Sequence, residues 1–471
     1  MKKISCLILA CLMVMALAGC GSSGNSGSTA APAPAAEAAP APAAEAAPAE
    51  TQTEAAEPVT LTAWYYADEG ADEGYNLWAE QVKAAYPYIS IEFEELPYDS
   101  GPEKFTVAVA TGTNPDFYFD AYSRCAPAIA AGKTLDLTEL REGYADEFLG
   151  TQADGVVDGR YHAIVTNTGA AYCMFINMTM VKDAGLEAML PADHLTWSYE
   201  QFLDLLRALK AAYPDVYPME LFAGSQSSDM WYYSWLLGNG VELTNDDLTA
   251  TAFNTGDNRE KAIQVLNMWK TISDEGLCNP GVATTLDQDG QGFWKAGKAA
   301  ICHGAYSNTA GWYRNMQDGT CVEFEYDAYA MPTFEGAAVP MSGSFGSYSF
   351  IAFDSGDEAK NDAIRKAVAV YLENPECQTI VTNATGRLSV MTDTVVEYDT
   401  PEIAEIMAVG AAYSASYTDS SFGVLRSWWT EFRGTFYPNL QDLYTGKIDA
   451  GTMLDKWQAA GDAVIAAANA Q

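Results

Sequence analysis

The chain has 471 residues, 49% of them apolar, with 63 Asp and Glu against 25 Lys and Arg and a formal net charge of −38 at pH 7. Such an acidic excess excludes nucleic acid and anionic lipid headgroups as partners, because both repel it. Nine cysteines without a C-x-x-C pair, and three histidines (His162, His194, His303) far apart in sequence, give no support to a zinc site or a dithiol redox motif.

Met1 to Ala18 carries Lys2 and Lys3, then an apolar run from Ile4 that ends in small residues. At about 15 residues the run is too short to span a bilayer of ~30 Å, so residues 1–19 read as a signal peptide. Leu17-Ala18-Gly19-Cys20 resembles a bacterial lipobox, which implies a lipidated (palmitate-bearing) Cys20 as the first mature residue. Residues 20–58 form an Ala/Pro/Ser/Gly stretch with a repeated A-A-P-A-P-A-A-E at Ala30 to Glu37 and at Ala38 to Glu45. Lacking aromatic residues, it cannot bury a core and reads as a disordered tether spanning roughly 30 to 110 Å.

Val59 to Tyr66 alternates as a first strand and delivers Trp64, Tyr65 and Tyr66 at its carboxyl end. Asp68, Glu69, Asp72 and Glu73 follow without the ligand spacing of a calcium loop. Tyr75, Trp78, Val82 and Ala85 recur at helical spacing, and Ile89, Ile91 and Phe93 alternate as a second strand, which makes a βαβ unit. A short helix over Lys104 to Thr111 is capped by Gly112, and a strand over Asp116 to Asp120 leads to Asp120-Ala121-Tyr122. Leu195 to Ala212 is a helix with a capping box at Ser198 and Gln201, a staple between Trp197 and Phe202, and an apolar stripe at Phe202, Leu205, Leu206 and Leu209. Asp229-Met230-Trp231-Tyr232-Tyr233 follows a Gly/Ser loop, and Arg259 to Glu275 is amphipathic.

Phe293 and Trp294 end a further helix, with Gly297 as its left-handed cap and Ala299 to Cys302 as a buried strand that Gly304 and Ala305 terminate. Tyr306 comes next, before Ser307 or Asn308 caps a helix bearing Trp312 and Tyr313. A strand whose carboxyl end runs into a helix is where open α/β sheets hold ligands. The rings of Tyr306 and Trp312 either face such a ligand or pack in the core. Pro340 to Phe353 reads as a G-S-F-G-S bend entering a strand, Pro375 starts a helix that ends near Gly386, and Leu425 to Phe436 is a helix with Trp428 and Trp429.

These segments carry a resemblance. F-W-K-A-G-K-A-A-I-C-H-G-A-Y-S-N-T-A-G-W from Phe293 is similar to the F-x-x-G-K-A-A-M-x-x-x-G-x-W-x signature of family 1 extracellular solute-binding proteins, the maltose-binding-protein-like receptors of bacterial ABC importers. A-T-G-T-N-P-D-F-Y-F from Ala110, Lys133 to Leu137, Asp158-Gly159-Arg160-Tyr161, Thr196-Trp197 with Phe202, and Asn374-Pro375-Glu376 resemble further family motifs in the same order. The family's proline after D-G-K-x-Y is Val165 here, its Y-N-K is reduced to Ile176-Asn177-Met178, and its later G-x-x-P is Gly386-Arg387-Leu388-Ser389.

The resemblance implies an α/β, two-lobe periplasmic-binding-protein type II fold with a hinged interlobe cleft. Lobe 1 is expected at 59–168 and 345–395, and lobe 2 at 169–344 and 396–471. The implied function is capture of a solute and its delivery to ABC transporter permease subunits from the extracytoplasmic face of the cell membrane. The protein is then a lipid-anchored monomer without catalytic residues, metal or cofactor. A carbohydrate ligand needs flat rings beneath it and carboxylates or amides around it. Trp64, Tyr65, Tyr66, Glu69, Asp120, Tyr122, Asp229, Trp231, Tyr306, Trp312, Gly343, Ser344, Trp428 and Trp429 are the candidate ligand-binding residues. A polyamine or other cationic solute on the same fold is the alternative. A secreted polysaccharide hydrolase is a further one, although no motif orders the carboxylates into an acid/base pair.

Overall fold

The computed structural model describes residues 57–66, 70–97, 100–148, 156–157, 159–168, 171–334, 347–414 and 426–470. The expected signal peptide, Cys20, the expected tether up to residue 56, Glu69, Gly343 and Ser344 lie outside these residues.

Eleven strands are present among the described residues: β1 (Val59–Tyr66), β2 (Ile89–Leu96), β3 (Phe117–Ala121), β4 (Val156–Val157), β5 (Arg160–Tyr161), β6 (Ile164–Thr168), β7 (Tyr172–Asn177), β8 (Ile301–Ala305), β9 (Tyr326–Tyr329), β10 (Ser347–Ala352) and β11 (Leu388–Ser389). They organise two lobes. The first is built on a six-stranded sheet of order β11-β6-β10-β3-β1-β2, in which β1 runs parallel to β2 and β3 while β10 runs antiparallel to β3 and β6. Leu61, Ala63 and Tyr65 alternate inward along β1, and the crossover helix Ala71–Ala85 turns Tyr75, Trp78 and Val82 onto the same core. Trp78 is fully buried, packs edge-on against Phe117, Phe119 and Tyr371, and donates its indole N–H to the Ala367 carbonyl at 2.9 Å. That last contact joins the amino-terminal part of the lobe to the helix Glu358–Glu373.

The second lobe has a three-stranded antiparallel sheet of order β8-β7-β9. Its core is rich in tryptophan, with Trp197, Trp231, Trp235, Trp269, Trp294, Trp429 and Trp457 all buried. The helix Tyr199–Ala212 begins with the expected capping box: the Gln201 N–H donates to Ser198 Oγ at 3.3 Å, and the Ser198 N–H to Gln201 Oε1 at 2.8 Å. The Trp197 and Phe202 rings lie 5.2 Å apart, and the Trp197 indole donates to the Ala330 carbonyl at 2.7 Å.

Three chain crossings join the lobes, after β6, before β10 and after β11. β6 ends, and β10 and β11 begin, at one end of the large sheet, where Thr168 pairs with Ser347 on one side and Leu388 on the other. The cores divide the same way: one set of buried side chains comes from 171–331 and 403–465, the others from 61–165 and 350–391. Cys125, Cys173, Cys278, Cys302, Cys321 and Cys377 are free, buried thiols. Among the described residues no helix is long and apolar enough to cross a membrane.

Two local expectations are corrected. The strand expected at Ala299 to Cys302 is shifted to Ile301–Ala305, so Gly304 lies inside β8, where a Cβ would come 2.7 Å from the Phe175 ring on the paired strand. Of the expected Leu425 to Phe436 helix only Trp429–Arg433 is helical among the described residues, and a separate helix Tyr437–Tyr444 follows it with Pro438 in its first turn.

Candidate functional site between the lobes

The parallel strands β1 and β3 end side by side, and β10 begins beside β3 with Tyr348 opposite Ala121 and Ser349 opposite Asp120. Here the buried Asp120 accepts from the Ala121 N–H at 2.6 Å, from Arg124 Nη1 at 3.4 Å, and from the Tyr118 hydroxyl. Burial first, and then the Asp120 charge, push the Tyr118 hydroxyl far above its ordinary value, so it stays a donor. The Arg124 guanidinium lies 5.0 Å from the centre of the half-buried Tyr66 ring, and the Arg387 guanidinium 3.2 Å from that of Tyr348. Asn167 Oδ1 and Ser349 Oγ are buried at this end of the sheet without a hydrogen-bond partner among the described residues.

The second lobe brings its own ion pair. Asp229 opens the helix Asp229–Gly238 and is fully buried, where Arg433 holds it by two bonds, Nε to Oδ2 at 2.6 Å and Nη2 to Oδ1 at 2.9 Å. Burial works against the Arg433 charge, but the Asp229 carboxylate more than restores it and holds the guanidinium above its ordinary value. The helix Trp429–Arg433 packs on the first lobe's helix Tyr122–Ala130, close enough for the Arg124 charge to act on Arg433. Arg124 and Arg433 therefore lie on the two helices that touch between the lobes, each paired with a carboxylate of its own lobe.

Several of the expected ring platforms are buried in this conformation. Tyr65 packs against Tyr75 and Phe93, and Tyr122 lies in the first lobe's smaller core. Trp231 is enclosed by Phe222, Tyr232, Trp235 and His303. Trp312 sits against Phe175 and Trp294. Trp428 and Trp429 close on each other and on Phe432. Tyr306 has no exposed surface, and its ring is pressed by Gly410, where a Cβ would come within 2.4 Å of it. These seven rings present no free face in this conformation. Asp229 likewise has both oxygens committed to Arg433. Trp64 is half-buried beneath Lys104, whose Nζ lies 4.4 Å from its ring centre, and Tyr66 stands beside Arg124. Arg124, Arg387, Arg433, Asn167, Tyr348 and Ser349 were not anticipated. The signal that points to the arginines is their scarcity, since a cation in so acidic a chain is placed against a particular carboxylate or ring.

The second lobe also contains a buried network in which His303 bonds Glu220 through Nδ1 and Asp287 through Nε2, the latter at 2.8 Å. Burial lowers the tendency of the imidazole to charge, but the two carboxylates outweigh it and keep His303 protonated well above its ordinary value. Glu220, Cys302 and His303 place one ligand-type atom each within 4.8 Å of one another. Each His303 nitrogen faces a carboxylate, Nδ1 facing Glu220 and Nε2 facing Asp287, so a metal here would have to displace one of these contacts.

The model of the bacterial extracellular solute-binding protein family matches residues 66–377. A Brucella abortus (strain 2308) protein, named only as a binding protein, is 24% identical over 396 residues, covering 82% of this chain and 89% of its own. Among solved structures, a chitin oligosaccharide binding protein superposes with a TM-score of 0.70 at 17% identity, covering 87% of this chain and 99% of its own. The cyclic alpha-maltosyl-1,6-maltose binding protein of Arthrobacter globiformis gives 0.63 at 17% identity, covering 87% and 100%. Maltose-bound MalE3 of T. maritima gives 0.67 at 16% identity, covering 85% and 98%. With a family match over most of the folded region and a two-lobe architecture shared along nearly the full length of those structures, the chain belongs to the bacterial extracellular solute-binding proteins.

Proposed function

We propose that this solute-binding protein captures a carbohydrate, an oligosaccharide in particular, and delivers it to the permease subunits of an ABC importer, tethered by a lipidated Cys20 to the extracytoplasmic face of the membrane. In this reading lobe 1 is 59–168 with 345–395, lobe 2 is 169–344 with 396–471, and binding occurs without catalysis. The observation that carries the reading is the sheet end where β1, β3 and β6 finish and β10 begins, which brings Tyr66, Asp120 and Tyr348 to one edge beside the helix Tyr122–Ala130, on which the other lobe's helix Trp429–Arg433 packs. An aromatic ring set among carboxylate and guanidinium groups suits a ligand with an apolar face and a hydroxylated edge. The oligosaccharide-binding neighbours support the same ligand class.

Trp64, Tyr66, Glu69, Asp120, Gly343 and Ser344 remain the proposed contact residues, joined by Arg124, Tyr348, Arg387 and Arg433. Tyr65, Tyr122, Asp229, Trp231, Tyr306, Trp312, Trp428 and Trp429 act behind them as packing and positioning groups. The polyamine alternative is weakened because Asp120, and Asp229 behind it, are already bonded to arginines.

Calorimetry with chito-, malto- and xylo-oligosaccharides and with spermidine tests the proposal. A saccharide should bind, and Tyr66→Ala should weaken it by about 10-fold or more, as expected when one stacking ring is removed. X-ray scattering should show a smaller radius of gyration at saturation. Binding of spermidine in preference to every saccharide would overturn the carbohydrate reading.

A further inference from the structure

A cavity of about 880 Å³ lies in the second lobe between β9, the helix Thr309–Gln317 and the helix Pro401–Ser414. None of its lining residues belongs to the interlobe site. Its floor is apolar and aromatic, formed by Phe324, Tyr326, Ile403 and Ile406. The cations at its rim are already committed, Lys182 to Glu325 and His194 to Asp327 at 3.5 Å. Glu402 starts its helix bonded to Thr400 and backbone. Glu323 and Glu405 remain at the opening with no ion-pair partner among the described residues.

We propose that this cavity is a second binding site that takes a small organic cation with a flat apolar body, of the arylalkylammonium class. The volume falls within the range of small-molecule sites, ~300–1,000 Å³. An ammonium head set between Glu323 and Glu405 answers the uncompensated charge, and the aromatic walls can take both the apolar body and, through their π faces, part of the positive charge. A neutral saccharide would leave that charge unanswered. A macromolecular segment is disfavoured because the space is a pocket bounded by two helices and a strand rather than an open groove.

Arg314 belongs to the helix Thr309–Gln317 that bounds the cavity. That side chain spans from the helix Thr309–Gln317 to Asp399 at 3.0 Å and to the Ala384 and Asn383 carbonyls at 3.0 and 3.1 Å. The wall formed by the helix Pro401–Ser414 thus follows directly on a crossing segment.

Titration calorimetry of the intact protein with tryptamine, and with tryptophol as its uncharged counterpart, tests the proposal. Tryptamine should bind saturably and about 10-fold or more tighter than tryptophol. The double variant Glu323→Gln, Glu405→Gln, which changes only exposed rim residues, should lower tryptamine affinity by about 10-fold. Tyr66→Ala should leave it unchanged, which separates this site from the interlobe reading whatever ligand the latter takes. The proposal is overturned by absence of saturable binding at millimolar tryptamine, by equal affinity for tryptophol, or by loss of binding in Tyr66→Ala but not in the double glutamine variant. Binding of a basic Lys/Leu peptide at Glu323 and Glu405 in place of the amine would overturn it equally.

Discussion

Replacing Arg433 by methionine keeps most of its apolar stem but leaves the Asp229 carboxylate buried without a counter-charge. The two nitrogen-to-oxygen distances, 2.6 and 2.9 Å, put the charge centres about 4 Å apart, where attraction amounts to ~4 kcal/mol at an effective dielectric constant near 20. Breaking a buried pair from one side costs about 3–5 kcal/mol, because the remaining charge keeps its desolvation penalty. At roughly 2–4 °C per kcal/mol for a lobe of this size, Arg433→Met should lower the melting temperature by about 6–20 °C. Removing both charges as Asp229→Leu with Arg433→Met should recover most of that loss, since two apolar groups of similar volume need no compensation. Urea unfolding followed by tryptophan fluorescence, run as a double-mutant cycle, should return a coupling of at least ~2 kcal/mol. A single-variant cost under ~1 kcal/mol, or a double variant as unstable as the two singles combined, would refute the reasoning.

The His303 network predicts a pH dependence of known sign. Its folded-state value is raised above that of a free histidine, so the associated stability is fully present below the ordinary histidine range and is lost as pH rises through the folded value, on the alkaline side. Urea midpoints measured from neutral to alkaline pH should fall in the native protein, and the fall should be smaller in His303→Gln; equal slopes would contradict the assignment. Gly304→Ala should destabilise the second lobe by about 1–3 kcal/mol, because its Cβ collides with the Phe175 ring, and Phe175→Leu in the same chain should relieve part of the loss in thermal unfolding. Cys20→Ser should shift the protein from the membrane fraction to the soluble fraction with an unchanged circular dichroism spectrum; full retention in the membrane would refute the anchor.

What was legible in the sequence is what depends on near neighbours. Gly297 and Gly386 adopt the left-handed φ of 65° that a helix end requires, and Ser198 with Gln201 caps its helix as spaced. Tyr66 and Asp120 fall at strand ends because alternation and turn residues locate those ends within a few positions. Whether a ring is covered depends instead on segments distant in sequence. Tyr306 looked like a platform at the end of β8, yet Gly410, about a hundred residues further on, closes over it. The arginines were missed for the same reason, since Arg433 meets Asp229 across 204 positions and no local pattern announces it.

The bond from Trp78 to the Ala367 carbonyl spans 289 positions, and β10 must insert between β3 and β6 before the large sheet is continuous. The first lobe therefore cannot finish folding while its chain is still emerging, for its central strand is made after most of the second lobe. Such long-range closure slows folding, because loop entropy is lost before the contacts that reward it are formed. A fragment cut between residues 168 and 347 would lack β10 and carry an open sheet edge rather than a finished lobe.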